Sequence, residues 1–271
     1  MRKLILLVVC CLAIPAMAQN LDEAIVKLTE TIPGKVVAPE TTAELETLFK
    51  DATKLSVPRV YVDKLPQDFA EKGSPELYMR VMTALILRSN ELAVREKMLL
   101  AALKSKYDKK EPWTEKEESF FHAMVEKYDE TITKTKGTQL ERLIIKIDEV
   151  VPGLAVAQSV YATDWGKKNM QHPYGQMGWL DEKTYTDIPY DSLIKATEAY
   201  VAEMNRESSY WMWRLKRQRA AHRGTRRLLA YALAGTLNVY RLEDPYYAPT
   251  IQKIIINNKP LSELYEATFS E

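Results

Sequence analysis

Apolar positions in this chain recur at helical spacing along most of its length, and no stretch alternates with the two-residue period of a half-buried strand. In residues 41–55, Leu45, Leu48 and Phe49 share a face behind a Thr cap with acids in the first turn, which predicts a helix. The stretch 57–72 is interrupted by Pro58 and Pro66 and reads as an extended connector hugging the surface. Residues 74–107 repeat Leu77, Val81, Leu85, Leu92 and Leu99 at helical intervals, which predicts one long helix. Thr114 and Glu117 form a capping box that opens a helix over 114–134, carrying Phe120, Phe121 and Met124. After Gly137 an unusually apolar helix pair, 138–149 and 152–162, is split by Pro152-Gly153. Residues 164–191 hold Gly166, Pro173, Gly175, Gly178 and Pro189 and read as irregular, and further helices are expected near 192–206, 208–234 and 246–256. The chain has no internal repeat. The pattern predicts an all-α protein whose one long irregular segment lies within the C-terminal half, where loops on a rigid scaffold tend to carry sites.

Composition narrows the class. The 271 residues are 46% apolar and 28% charged, which suits a soluble globular chain and excludes disordered, collagenous and multi-span membrane classes. Lys plus Arg is 38 and Asp plus Glu is 37, so overall charge offers no argument for nucleic acid. Residues 1–18 begin with Arg2 and Lys3, continue with an apolar run from Leu4 to Ile14 and end in Ala16-Met17-Ala18, the pattern of a signal peptide cleaved after Ala18. The run is about half of the roughly 20 residues needed to span a bilayer. A lipoprotein would want a small residue before its cysteine, and Val9 precedes Cys10. Both cysteines, Cys10 and Cys11, fall in this segment, so the expected mature chain has neither disulfide nor thiol chemistry and belongs in the periplasm or outside the cell. His122, His172 and His222 lack ligand spacing, and no phosphate loop or nucleophile elbow occurs, so no metal or cofactor is expected.

The segment 141–166, ERLIIKIDEVVPGLAVAQSVYATDWG, resembles the signature of Bax-like glucosaminidase-domain proteins, relatives of the flagellar-rod peptidoglycan hydrolases, through Asp148, Val151, Pro152, Leu154, Ala155, Ala157, Gln158, Trp165 and Gly166. Tyr174-Gly175-Gln176, the run 199–214 and the run 237–258 are similar to later elements of that family in the same order. Residues 58–98, with Pro58-Arg59-Val60, Leu65-Pro66 and Asn90, resemble its N-terminal helical hairpin. The likeness spans roughly residues 58–265. It implies a lysozyme-like helical glucosaminidase domain over 141–271, preceded by a helical hairpin extension over 58–140 and an N-terminal helical segment over 19–57. The implied substrate is the peptidoglycan glycan strand.

The likeness also exposes a gap. The family's proton-donating Glu lies three residues before the Trp-Gly pair, and that position is Ala162 here. A methyl group donates no proton. Asp164 is the nearest substitute, but on a continued helix a two-residue shift would rotate its side chain by about 200° from that position. The lobe after Gln176 is shortened to 177–191, where Asp181, Glu182 and Asp187 are the available acids, and Glu207 replaces a His frequent in the family. The resemblance therefore implies a binding role with hydrolysis lost or strongly reduced. An active glucosaminidase with a displaced acid, Asp164 or a loop acid, is the alternative.

Aromatic faces pack on sugar rings, so Trp165, Tyr174, Trp179, Tyr200, Tyr210, Tyr240 and Tyr247 are substrate-binding candidates, although aromatics at helical spacing also build cores. Trp211 belongs to the same aromatic group, and Trp213 matches a core Phe of the family. Gln176 and Asn205 offer hydrogen bonds to an N-acetyl or hydroxyl group, or cap a loop. Residues 214–227 hold seven Lys or Arg and no acid, from Arg214 to Arg227, and as a helix would form a basic girdle. Such a girdle draws anionic envelope polymers, pairs with acids of the same chain, or docks a periplasmic protein partner. The export signal disfavours nucleic acid.

Overall fold

The computed structural model describes residues 21–28, 30, 32–53, 55–130, 135–174, 189–206, 213–214, 229–237 and 244–270. The segment 1–18 lies outside the described residues. The chain is mostly helical and divides into two compact units that interleave in sequence. One takes the chain up to Ile32 together with Glu91–Glu149; the other takes Pro33–Asn90 and Val150–Glu271. The contiguous segments 19–57, 58–140 and 141–271 expected from sequence thus cut across both.

The first unit contains α1 (Leu21–Val26), the second half of α4 (Pro75–Asp108), α5 (Glu115–Lys127) and α6 (Lys136–Lys146). The capping box at α5 is formed as the sequence predicts: Glu117 N–H donates to Thr114 Oγ1 at 3.2 Å and Thr114 N–H to Glu117 Oε2 at 2.9 Å. Three glutamates are buried here, each beside a cation. Glu96 accepts from Lys127 at 2.7 Å and from the Tyr128 hydroxyl at 2.5 Å, Glu117 pairs with Lys106 at 2.7 Å, and Glu130 pairs with Arg142 at 2.5 Å. Buried carboxylates survive only with such partners, and stripping one partner away costs about 3–5 kcal/mol.

The second unit contains α2 (Thr42–Leu48), two short parallel strand pairs, α3 (Phe69–Lys72), the first half of α4, α7 (Pro152–Thr163), α8 (Leu193–Arg206), α9 (Leu229–Ala234), α10 (Tyr247–Asn257) and α11 (Lys259–Glu263). β1 (Lys35–Val37) pairs with β3 (Val60–Val62), and β2 (Ser56–Val57) with β4 (Thr268–Phe269). These strands were not foreseen, because two or three residues are too few for an alternation to register. The predicted 41–55 helix stops at Leu48, with Leu45 and Phe49 fully buried, and the chain turns into β2.

Residues 152–160 of α7 are all buried, so this helix sits at the centre of its unit and packs against α9, α10 and α11. The break before it lies at 147–151, not at Pro152-Gly153: Pro152 occupies the first turn, where its missing N–H costs nothing. Gly153 is inside the helix because a Cβ there would stand 2.0 Å from the Leu261 carbonyl oxygen. The entry to α7 is pinned by Asn90 on α4. Its amide donates to Val150 C=O and accepts from Val150 N–H, both at 2.8 Å, satisfying a buried backbone unit that no helix or strand reaches.

Replacing Asn90 by Leu strands both Val150 groups without water. The expected cost is about 2–4 kcal/mol, from two buried groups losing their partners, read as a lowered urea midpoint at an unchanged slope.

Candidate functional site

The site expected from sequence centres on the C-terminal end of α7, in the second unit. Three polar side chains of this buried helix find partners on other helices. Gln158 Nε2 donates to the Tyr247 hydroxyl of α10 at 2.9 Å, and its Oε1 accepts from the Tyr200 hydroxyl of α8 at 2.7 Å. Thr163 donates to the Ser159 carbonyl at 2.8 Å, so its contact with the Tyr78 hydroxyl at 2.8 Å is one in which Tyr78 donates. Tyr78 is then free to accept from the Ser159 hydroxyl, which it touches. The order of protons is fixed by counting donors. Thr163 Oγ1 also accepts from Gly166 N–H at 3.1 Å and so holds the turn that follows the helix.

That turn is strained. Asp164, Trp165 and Gly166 have φ of 49°, 60° and 82° in succession. Asp tolerates the left-handed region through its short polar side chain, whereas a bulky Trp there is an outlier. Gly166 is required twice over, by its φ and because a Cβ would stand 2.7 Å from the Tyr78 ring. Trp165 meets Tyr78 edge to face at 6.3 Å between centroids. Strain of this kind, about 1–3 kcal/mol per residue, clusters at functional positions.

Ala162 stands one turn beyond Gln158 on the same face and is half-buried. Asp164 is exposed and closes the helix, its N–H donating to Val160 C=O at 2.9 Å. A carboxylate that the sequence did not single out, Asp244, also reaches this helix. Its Oδ2 accepts from the Tyr161 hydroxyl at 2.7 Å and its Oδ1 from Tyr246 N–H at 2.9 Å, which is the work of an Asx turn leading into α10.

The candidate sugar-binding aromatics separate into two groups. Trp165 is half-buried in the turn. Tyr174, Tyr200 and Tyr247 are interior: Tyr174 stacks on Tyr200 at 4.1 Å, and Tyr247 packs edge-on to Tyr161 at 5.0 Å. Their rings face protein, so they hold the scaffold together instead of presenting a surface to a sugar. Asn205 is fully buried as well, Trp213 fills the core as expected, and Arg214 is half-buried. Gln176, Trp179, Tyr210 and Tyr240 lie outside the described residues, as do Asp181, Glu182, Asp187, Glu207 and the basic run after Arg214. Among the described residues no cluster has the composition of a metal site, and no helix is long and apolar enough to cross a membrane.

A hollow of about 500 Å³ opens beside the strained turn, between the 63–70 segment, residues 166–171 and the entry to α8 at 190–193. Lys64, Lys167, Lys168, Asp63 and Asp191 supply its charges. Its frame is well tied: Ser192 caps α8 by accepting from Lys195 N–H at 3.2 Å while its hydroxyl donates to Asp63, and Leu193 N–H donates to Asp63 C=O at 2.8 Å. Lys195 holds the Asp191 carboxyl below the usual carboxylate range by hydrogen bond and charge, with a smaller contribution from Lys64. No short-range spacing in the sequence links these residues, because about a hundred positions separate 63–70 from 166–171. No protein-family model, curated protein or solved structure matches this chain.

Burial pushes the Tyr78 hydroxyl up to about 12 from the ordinary 10.0, and pushes Tyr174 up further, against the hydrogen bonds that oppose the shift. A folded-state pKa above the unfolded one means that the folded chain holds its proton longer, so stability is full below pH about 10 and falls as pH rises towards 12. In an alkaline titration, tyrosinate absorbance from these residues should appear together with loss of helical circular dichroism, and Tyr78→Phe should reduce the pH dependence.

Proposed function

We propose that this chain is an exported protein of the lysozyme-like glucosaminidase class that binds peptidoglycan glycan strands, with hydrolysis lost or strongly reduced. One observation carries the reading: the position where the resembling family has its acid is Ala162, half-buried at the last turn of α7. Cleaving a glycosidic bond needs a carboxylic acid to protonate the leaving oxygen, and such a group is worth about 100- to 10,000-fold in rate.

The described carboxylates nearby favour binding over cleavage. Asp164 is exposed in a left-handed turn. Asp244 spends both oxygens as acceptors. Asp191 is exposed beside Lys195, which shifts its carboxyl below the usual range, the opposite of what a proton donor needs. The half-buried Trp165 offers an aromatic face, and Lys64, Lys167 and Lys168 of the hollow beside it offer positive charge, to a glycan strand and the carboxylates of its peptide stems. The basic run from Arg214 to Arg227 adds attraction for anionic envelope polymers.

Purified protein should sediment with cell-wall sacculi and release no muropeptides above background, and neither Asp164→Ala nor Asp244→Asn should alter that background. Muropeptide release abolished by either substitution overturns the loss of hydrolysis. Failure to sediment at both low and high salt overturns glycan binding and favours a protein-docking role.

A further inference from the structure

The hollow beside the turn carries charges of both signs on one well-tied frame. Lys64, Lys167 and Lys168 line it, and among the described residues none lies within ion-pair distance of a carboxylate. Asp63 faces the same space. One of its oxygens is engaged by the Ser192 hydroxyl, which fixes the carboxylate, and the other accepts nothing from the described residues. Asp191 pairs with Lys195 at 3.3 Å, but both side chains are largely exposed and such a pair is weak. Pro66, Phe69 and Met170 add an apolar wall, and Gln67, Gln171 and Tyr190 bring amide and hydroxyl groups. The volume of about 500 Å³ lies within the range of small-molecule sites.

We propose that this hollow binds a small zwitterion, an amino acid or short peptide with free ends, its carboxylate on the lysines and its ammonium on Asp63. A simple anion would gain the lysines but meet the two aspartates. A simple cation would meet the reverse. Only a dipolar ligand satisfies both, and the apolar wall accommodates a side chain. Tyr190 N–H donating to Gln171 C=O at 3.2 Å and Gln171 N–H to Asn169 at 2.9 Å tie the backbone of the rim, so the ordering left to binding is that of the exposed lysine side chains. This assignment shares the lysines of the hollow with the proposed glycan binding but does not rest on it, since dipeptide titration tests the hollow alone and sacculus sedimentation tests the glycan reading.

Calorimetric titration with alanyl-alanine, its N-acetyl form, its C-terminal amide and inorganic phosphate tests it. The free dipeptide should bind, and blocking either end should weaken binding by about tenfold or more, the scale of one charge-assisted hydrogen bond. Asp63→Asn, which keeps an acceptor for Ser192, should lower affinity for the free dipeptide to that of the N-acetyl form without weakening the latter. Lys167→Gln combined with Lys168→Gln should weaken every carboxylate-bearing probe. Absence of dipeptide binding, equal binding of the blocked forms, or tighter binding of phosphate than of dipeptide each overturns the proposal. If Asp63→Asn does not fold, the lysine variant and the blocked ligands decide it.

Discussion

A helix buried along most of its length leaves its buried polar side chains no access to water, and α7 carries three of them. Gln158, Ser159 and Thr163 are fully buried, and the Tyr161 hydroxyl has Asp244. Each needs a partner delivered from another element, because an orphaned buried group costs about 1–3 kcal/mol. Tyr78 from α4, Tyr200 from α8 and Tyr247 from α10 are those partners. Hydrophobic burial alone would tolerate sliding of these helices along α7. The paired hydroxyls and amide admit one register, and that register fixes where the strained 164–166 turn and its neighbouring hollow stand.

Much of this was legible in the sequence. The long α4, the Thr114–Glu117 capping box, the apolar α7 and the turns at 164–174 after it all follow from periodicity and local hydrogen-bond chemistry, which act over a few residues. What was not legible depends on distant residues meeting. Tyr174, Tyr200 and Tyr247 looked like cleft aromatics, yet a tyrosine serves equally well as a buried hydroxyl bridge, and nothing local distinguishes the two uses. Asp244 and the charges around the hollow were passed over for the same reason. Gly153 read as a helix breaker because Gly usually is one. The carbonyl of Leu261 that demands a glycine there is more than a hundred residues away.

The proposed function joins a buried polar network to the lack of a carboxylate at position 162 beside it. A buried polar network is costly to alter piecemeal, since every member depends on the others, whereas a half-buried position at a helix end changes with little consequence for stability. Ala162 is of the second kind. Gln158 and its two tyrosine partners form the buried network, and the methyl at position 162 leaves the adjoining half-buried turn without a proton donor.

Installing the missing acid tests this most directly. Ala162→Glu places a carboxylic acid on the solvent-accessible last turn of α7 without disturbing the network beneath it. Muropeptide release from sacculi should rise by about 100-fold or more over the unsubstituted chain if a positioned acid is what the site lacks. Release by the unsubstituted chain that equals or exceeds that of the variant would contradict the account.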